Sequence, residues 1–97
     1  MQQPKILLVE DNKMDIELTL DAFRKYRLAN DVQVVRTGEQ ALDYMLGRGE
    51  YADRDTHPIP DLILLDLKMP GMNGMELHER LVGSARASRV ILVTGDT

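Results

Sequence analysis

Ninety-seven residues, 43% of them hydrophobic and 29% charged, suit one small globular domain with little stability to spare. A net charge of −4 with no basic cluster argues against nucleic acid as a partner, and the absence of cysteine removes disulfides and thiolate metal sites. No apolar run approaches the roughly 18–20 residues that span a bilayer, and the opening Met1-Gln2-Gln3-Pro4-Lys5 lacks a signal-peptide core. The expected setting is therefore cytoplasmic, without membrane contact.

The first predicted element is a strand over residues 5–9, a continuous apolar run that ends on two acids, Glu10 and Asp11. Such runs suit strands covered on both faces, as in parallel sheets. Asn12 is placed to cap a helix over residues 13–28, with Ile16, Leu20 and Phe23 on its apolar face. Arg24, Lys25 and Arg27 form its solvated end. After Ala29-Asn30-Asp31 comes a short strand, residues 32–35. Thr37 and Gln40 fit the capping-box pattern, opening a second helix whose buried stripe is Ala41, Leu42, Met45 and Leu46, and which Gly47 and Gly49 end. The stretch 48–60 reads as a polar loop. His57 within it has no partner at metal-ligand spacing and reads as a plain loop residue. The third strand, residues 62–65, runs directly into Asp66 and a turn rich in Pro70, Gly71 and Gly74. A third helix is expected over residues 74–82, with Met75, His78, Leu81 and Val82 inward, broken by Gly83-Ser84-Ala85. A fourth strand, residues 90–93, is closed by Thr94 and Gly95. Strands alternating with helices of these lengths predict an α/β fold, a parallel sheet joined by right-handed crossovers.

A lone acid at a strand end is often no more than a turn cap. Here two apolar strands end on carboxylates, one on Asp66 and the other on Glu10 and Asp11. If the strands are parallel neighbours, three acids meet in the crevice at the carboxyl ends of the strands, where ligands bind in open α/β sheets. Like charges so placed repel and call for a cation. An all-oxygen donor set suits a hard ion, Mg2+ above all. With that ion present, a carboxylate can act as nucleophile toward a phosphoryl group.

Leu8-Val9-Glu10-Asp11, then Leu64-Leu65-Asp66 with Pro70 and Gly74 following, then Val93-Thr94-Gly95 together resemble the receiver domain of two-component response regulators. The likeness runs in order over essentially the whole chain. The loop from Gly47 onward is similar to that of the small stand-alone receivers that partner bacterial phytochromes. The resemblance implies a flavodoxin-like doubly wound sheet, here with four strands in the order 2-1-3-4 and three helices. It implies a phosphoacceptor module rather than an enzyme, with Asp66 taking a phosphoryl group from a sensor histidine kinase or phosphotransfer protein. Asp11 and Asp66 would ligate Mg2+ directly, Glu10 through water and Lys68 through its backbone carbonyl. Thr94 would be the switch hydroxyl that moves to the phosphoryl oxygen.

The family pattern goes on to a further helix, strand and helix, and that strand supplies a Lys facing the phosphoryl group. Lys5, Lys13, Lys25 and Lys68 all lie elsewhere, so no residue here matches it. The resulting expectation is a single receiver domain over residues 1–97, truncated after its fourth strand and slower to be phosphorylated. An exposed fourth strand and an uncovered sheet face predict a homodimer. A receiver-shaped binding or dimerisation module that no longer signals is the alternative. A phosphohydrolase of the haloacid dehalogenase type also uses a strand-end Asp, but it needs a second Asp two positions later, where this chain has Lys68.

Overall fold

The structure, a computed structural model, describes residues 5–27, 32–66, 74–84 and 89–93. The elements are β1 (Ile6–Val9), α1 (Lys13–Lys25), β2 (Val32–Val35), α2 (Gly38–Leu46), a 3-10 turn (Gly49–Tyr51), β3 (Leu62–Asp66), α3 (Gly74–Ser84) and β4 (Arg89–Val93). All three strand pairs are parallel and the sheet order is β2-β1-β3-β4, as the alternation and the resemblance led one to expect. No helix among the described residues is long and apolar enough to cross a membrane.

Right-handed crossovers place α1 on one face of this sheet and α2 and α3 on the other. The period of two along each strand then divides the apolar residues. Leu7, Val9, Val35, Ile63 and Leu65 point into the main core, where they meet Ala41, Tyr44 and Met45 of α2 and Leu77 and Leu81 of α3. Ile6 and Leu8 are buried on the opposite face, while Val34, Leu62 and Leu64 there are half-buried. On α1, Ile16, Leu20 and Phe23 are half-buried and no residue is fully so.

Several boundaries and faces differ from those the sequence suggests. Helix α1 stops at Lys25 because Arg27 takes a left-handed φ of 60°. Strand β3 extends through Asp66, which pairs with Val93, so the candidate nucleophile belongs to the sheet ladder. Leu46 is 52% exposed and Tyr44 fills the core in its place. Helix α3 runs past Gly83 to Ser84; Val82 faces out and Leu77 is fully buried. The side chains of Met75 and His78 lie outside what is described.

The segment between α2 and β3 is more ordered than a polar loop suggests. Gly47 takes φ 67°, and the N–H groups of Gly47 and Arg48 bond the carbonyls of Tyr44 and Asp43, a Schellman closure that needs a left-handed residue. The Arg54 guanidinium then folds back to donate to the carbonyls of Tyr44 at 2.8 Å, Met45 at 2.9 Å and His57 at 3.2 Å. It thereby supplies a donor to the Met45 carbonyl in the last turn of α2, where intrahelical partners run out, and a second donor to that of Tyr44. The Tyr44 hydroxyl donates to the Pro58 carbonyl at 2.8 Å. The rings of Tyr44, Tyr51 and His57 form a triangle with centroids 5.1–5.8 Å apart, so His57 is a packing residue of this segment. Burial pushes the Tyr44 phenol above its ordinary value, and the nearby Arg54 charge offsets part of that rise.

Asp53 makes an Asx turn at the tip of the same segment. Its carboxylate accepts from the Asp55 N–H at 2.9 Å and the Thr56 hydroxyl at 3.1 Å. These bonds, that of the Asp55 N–H first, hold its carboxyl below the ordinary value. A depressed folded-state value stabilises the fold above the unfolded value of about 3.9, and that contribution disappears as pH falls through the folded value. Asp53→Asn should therefore flatten the acid side of the stability profile below about pH 5. Urea midpoints measured at several pH values check this, and parallel profiles for the two proteins would contradict it.

Candidate functional site

The order β2-β1-β3-β4 reverses the chain's direction of travel between β1 and β3, which opens a crevice beyond their carboxyl ends. The register Val9↔Leu65 places Glu10 and Asp66 one step further on, at the same edge of the sheet. This is the juxtaposition that the two strand-end acids called for. The backbone thus brings Glu10, Asp11 and the Asp66 position together. The carboxylate of Asp66, together with Lys68 and Thr94, lies outside what is described.

The Glu10 side is built in detail. Its N–H donates to the Val35 carbonyl at 3.0 Å, the last tie between β1 and the end of β2. Glu10 is 8% exposed, a buried acid at the end of an otherwise apolar strand. One of its carboxylate oxygens accepts from the Asn12 N–H at 3.3 Å. Asn12 in turn caps α1, its side-chain oxygen accepting from the Asp15 N–H at 3.1 Å. One residue therefore starts the helix and anchors the acid. Asp11, between them, is half-buried, and its carbonyl accepts from the Arg36 guanidinium at 2.9 Å.

Arg36 is the first residue beyond β2, and its own N–H donates to the Gln40 side chain at 2.8 Å. The Thr37 hydroxyl accepts from the Gln40 N–H at 3.0 Å. The expected box at the start of α2 is thus present, but Gln40 reaches back to Arg36 rather than to Thr37. Sequence reasoning missed Arg36 altogether. Its bond to Asp11 crosses 25 positions of chain, and no local pattern announces it.

Among the described residues no group of three or more acid, His or Cys side chains forms a complete metal cage. The described donors, Glu10 and Asp11, are both carboxylates, which fits a hard divalent cation and not a soft one. Away from this edge, a cleft of about 390 Å³ is lined by Glu39, Leu42, Asp43, Arg48 and Arg80. Its two guanidiniums are engaged in surface ion pairs, Arg48 with Asp43 at 3.0 Å and Arg80 with Glu76 at 3.1 Å, and none of the site acids reaches it.

Residues 6–97 match the family model of the response regulator receiver domain. The response regulator Rcp1 of Synechocystis sp. is 32% identical over 88 residues, covering 91% of this chain and 58% of its own length. The Mn2+-bound form of Rcp1 is a structural neighbour, with a TM-score of 0.80 at 29% identity over 96% of this chain and 66% of that one. The bacteriophytochrome response regulator RtBRR gives 0.82 at 42% identity, covering 98% of this chain and 58% of that one. The phosphorylated cyanobacterial phytochrome response regulator RcpA gives 0.84 at 35% identity, with 98% and 67% covered. The chain thus spans somewhat more than half the length of the first relatives it matches.

Proposed function

Because this chain belongs to the response regulator receiver family, we propose that it is a phosphoacceptor module of a two-component phosphorelay, with Asp66 as the acceptor. The observation that carries this reading is the parallel β1·β3 register, which sets Glu10 and Asp11 beside the Asp66 position at one sheet edge. The donor would be a sensor histidine kinase or a phosphotransfer protein. The family supplies the class of reaction, and the acids supply its means.

In this reading an Asp66 carboxylate oxygen attacks the donor phosphorus, the bond from phosphorus to the donor atom breaks, and the electron pair leaves with the donor. The product on the chain is an acyl phosphate. Such a transfer needs alignment and charge neutralisation more than covalent help. Mg2+, when bound, supplies the positive charge that lets an anionic donor approach three acids. Asp11, Asp66 and the Lys68 carbonyl would hold it directly, with Glu10 acting through water. The Asn12 N–H keeps one Glu10 oxygen turned toward the start of α1. Thr94 would then report the new charge by moving its hydroxyl to the phosphoryl oxygen. The chain is the recipient in this chemistry, not an enzyme, and the setting we propose for it is the cytoplasm.

The direct test is incubation with acetyl phosphate and Mg2+, read by intact mass. One phosphoryl adduct per chain is expected with Mg2+ and none when EDTA removes it. An adduct that forms equally well in EDTA, or no adduct at all, would count against the proposal. The second reading, a receiver-shaped module for docking or homodimer formation, is favoured by α1, whose Met14 and Leu18 are 70% and 63% exposed. Absence of the adduct would leave that reading standing.

A further inference from the structure

We propose that Arg36 is a positioning residue of the acidic site, setting where the Asp11 carboxylate stands by gripping the peptide that follows it. This rests on the phosphoacceptor reading above and adds a residue to it. Asp11 sits between two fixed points. Before it, the Glu10 N–H is tied to the Val35 carbonyl. After it, the carbonyl of Asn12 accepts from the Ile16 N–H at 2.9 Å to begin α1, and the Asn12 side chain caps that helix.

The carbonyl of Asp11 belongs to the planar peptide joining it to Asn12. A guanidinium bonded to that oxygen at 2.9 Å fixes the plane, and with it the ψ angle of Asp11 and the direction in which its side chain departs. Arg36 is itself held by the Gln40 side chain at its backbone N–H. The grip therefore runs from the start of α2, through Arg36, to the acid-bearing turn after β1. Being exposed, Arg36 can carry this role without belonging to the core.

Charge and position predict opposite outcomes, which makes the idea sharp. Removing a cation beside an acidic metal site should, by Coulomb's law alone, tighten binding of a dication. Removing the grip on Asp11 should weaken it. Partners that orient metal ligands typically cost roughly 10–100-fold in affinity when lost.

Calorimetric titration of the whole chain with Mg2+ tests this on wild type, Arg36→Met and Arg36→Lys. The expected result is affinity about tenfold weaker in Arg36→Met. Arg36→Lys, whose ammonium keeps the charge and one donor, should recover part of the loss. The urea midpoint of both variants should stay at the wild-type value, since an exposed side chain is changed. Wild-type or tighter Mg2+ binding in Arg36→Met overturns the proposal while leaving the acidic site intact. A wild-type chain that binds no Mg2+ overturns the site reading and this proposal together.

Discussion

Asp66→Asn is expected to take up no phosphoryl group from acetyl phosphate in the presence of Mg2+. The amide is nearly isosteric with the carboxylate but has no anionic oxygen to attack phosphorus. It also removes one charge from the edge where Glu10 and Asp11 already stand, so Mg2+ binding should weaken as well. The fold should not suffer. In metal-free protein the three acids repel one another, and neutralising one relieves that repulsion. Urea stability of Asp66→Asn should therefore equal or exceed that of wild type. Intact mass after reaction, with the urea midpoint alongside, reads both expectations. An equal adduct on Asp66→Asn would move the acceptor to another residue and undo the assignment.

Tyr44→Ala should be the most damaging core substitution among the described residues. Among those residues Tyr44 is the largest side chain that is fully buried. Its ring supports Tyr51 and His57, and its hydroxyl holds the Pro58 carbonyl. Large aromatic truncations cost about 3–5 kcal/mol. Small domains have only about 5–15 kcal/mol in total, so much of the stability would go. Tyr44→Phe separates the contributions, since it keeps the ring and loses only the hydrogen bond to Pro58, for about 1–3 kcal/mol. Urea unfolding with an unchanged m-value checks the pair. Equal midpoints for the two variants would mean that the hydroxyl, and not the ring, holds this segment.

The strands were legible because each centres on a short, mostly apolar run, broken inside β2 by Gln33. The alternation with helices points to parallel pairing, and the order of the sheet is what the family resemblance implies. The helix faces were less legible where two apolar residues are adjacent. In Met45-Leu46 and Leu81-Val82 either member fits a helical stripe, and only the position of the sheet decides. The structure buries Met45 and Leu81 and exposes Leu46 and Val82. The acids stood out because two apolar strands end on carboxylates, where one alone would pass for a turn cap. Arg36 and Arg54 could not. Both act on backbone carbonyls, which every residue has, and a contact of that kind leaves no pattern in side-chain identity.

The all-parallel pairing has a kinetic consequence. No two neighbouring strands are joined by a hairpin, so every rung of the sheet waits on a crossover. The tie between Lys5 and Asp61, which starts the β1·β3 ladder, closes 56 positions of chain. The entropy of such a closure grows only logarithmically, to about 3–4 kcal/mol beyond a constant. It must still be met before the ladder returns anything. The strap of Arg54, Tyr44 and Pro58 draws α2 toward the start of β3 and so shortens the free chain within that loop. Assembly of the edge that carries the acids therefore waits on this long crossover, and the segment held by Arg54 and Tyr44 reduces the length of chain left to close.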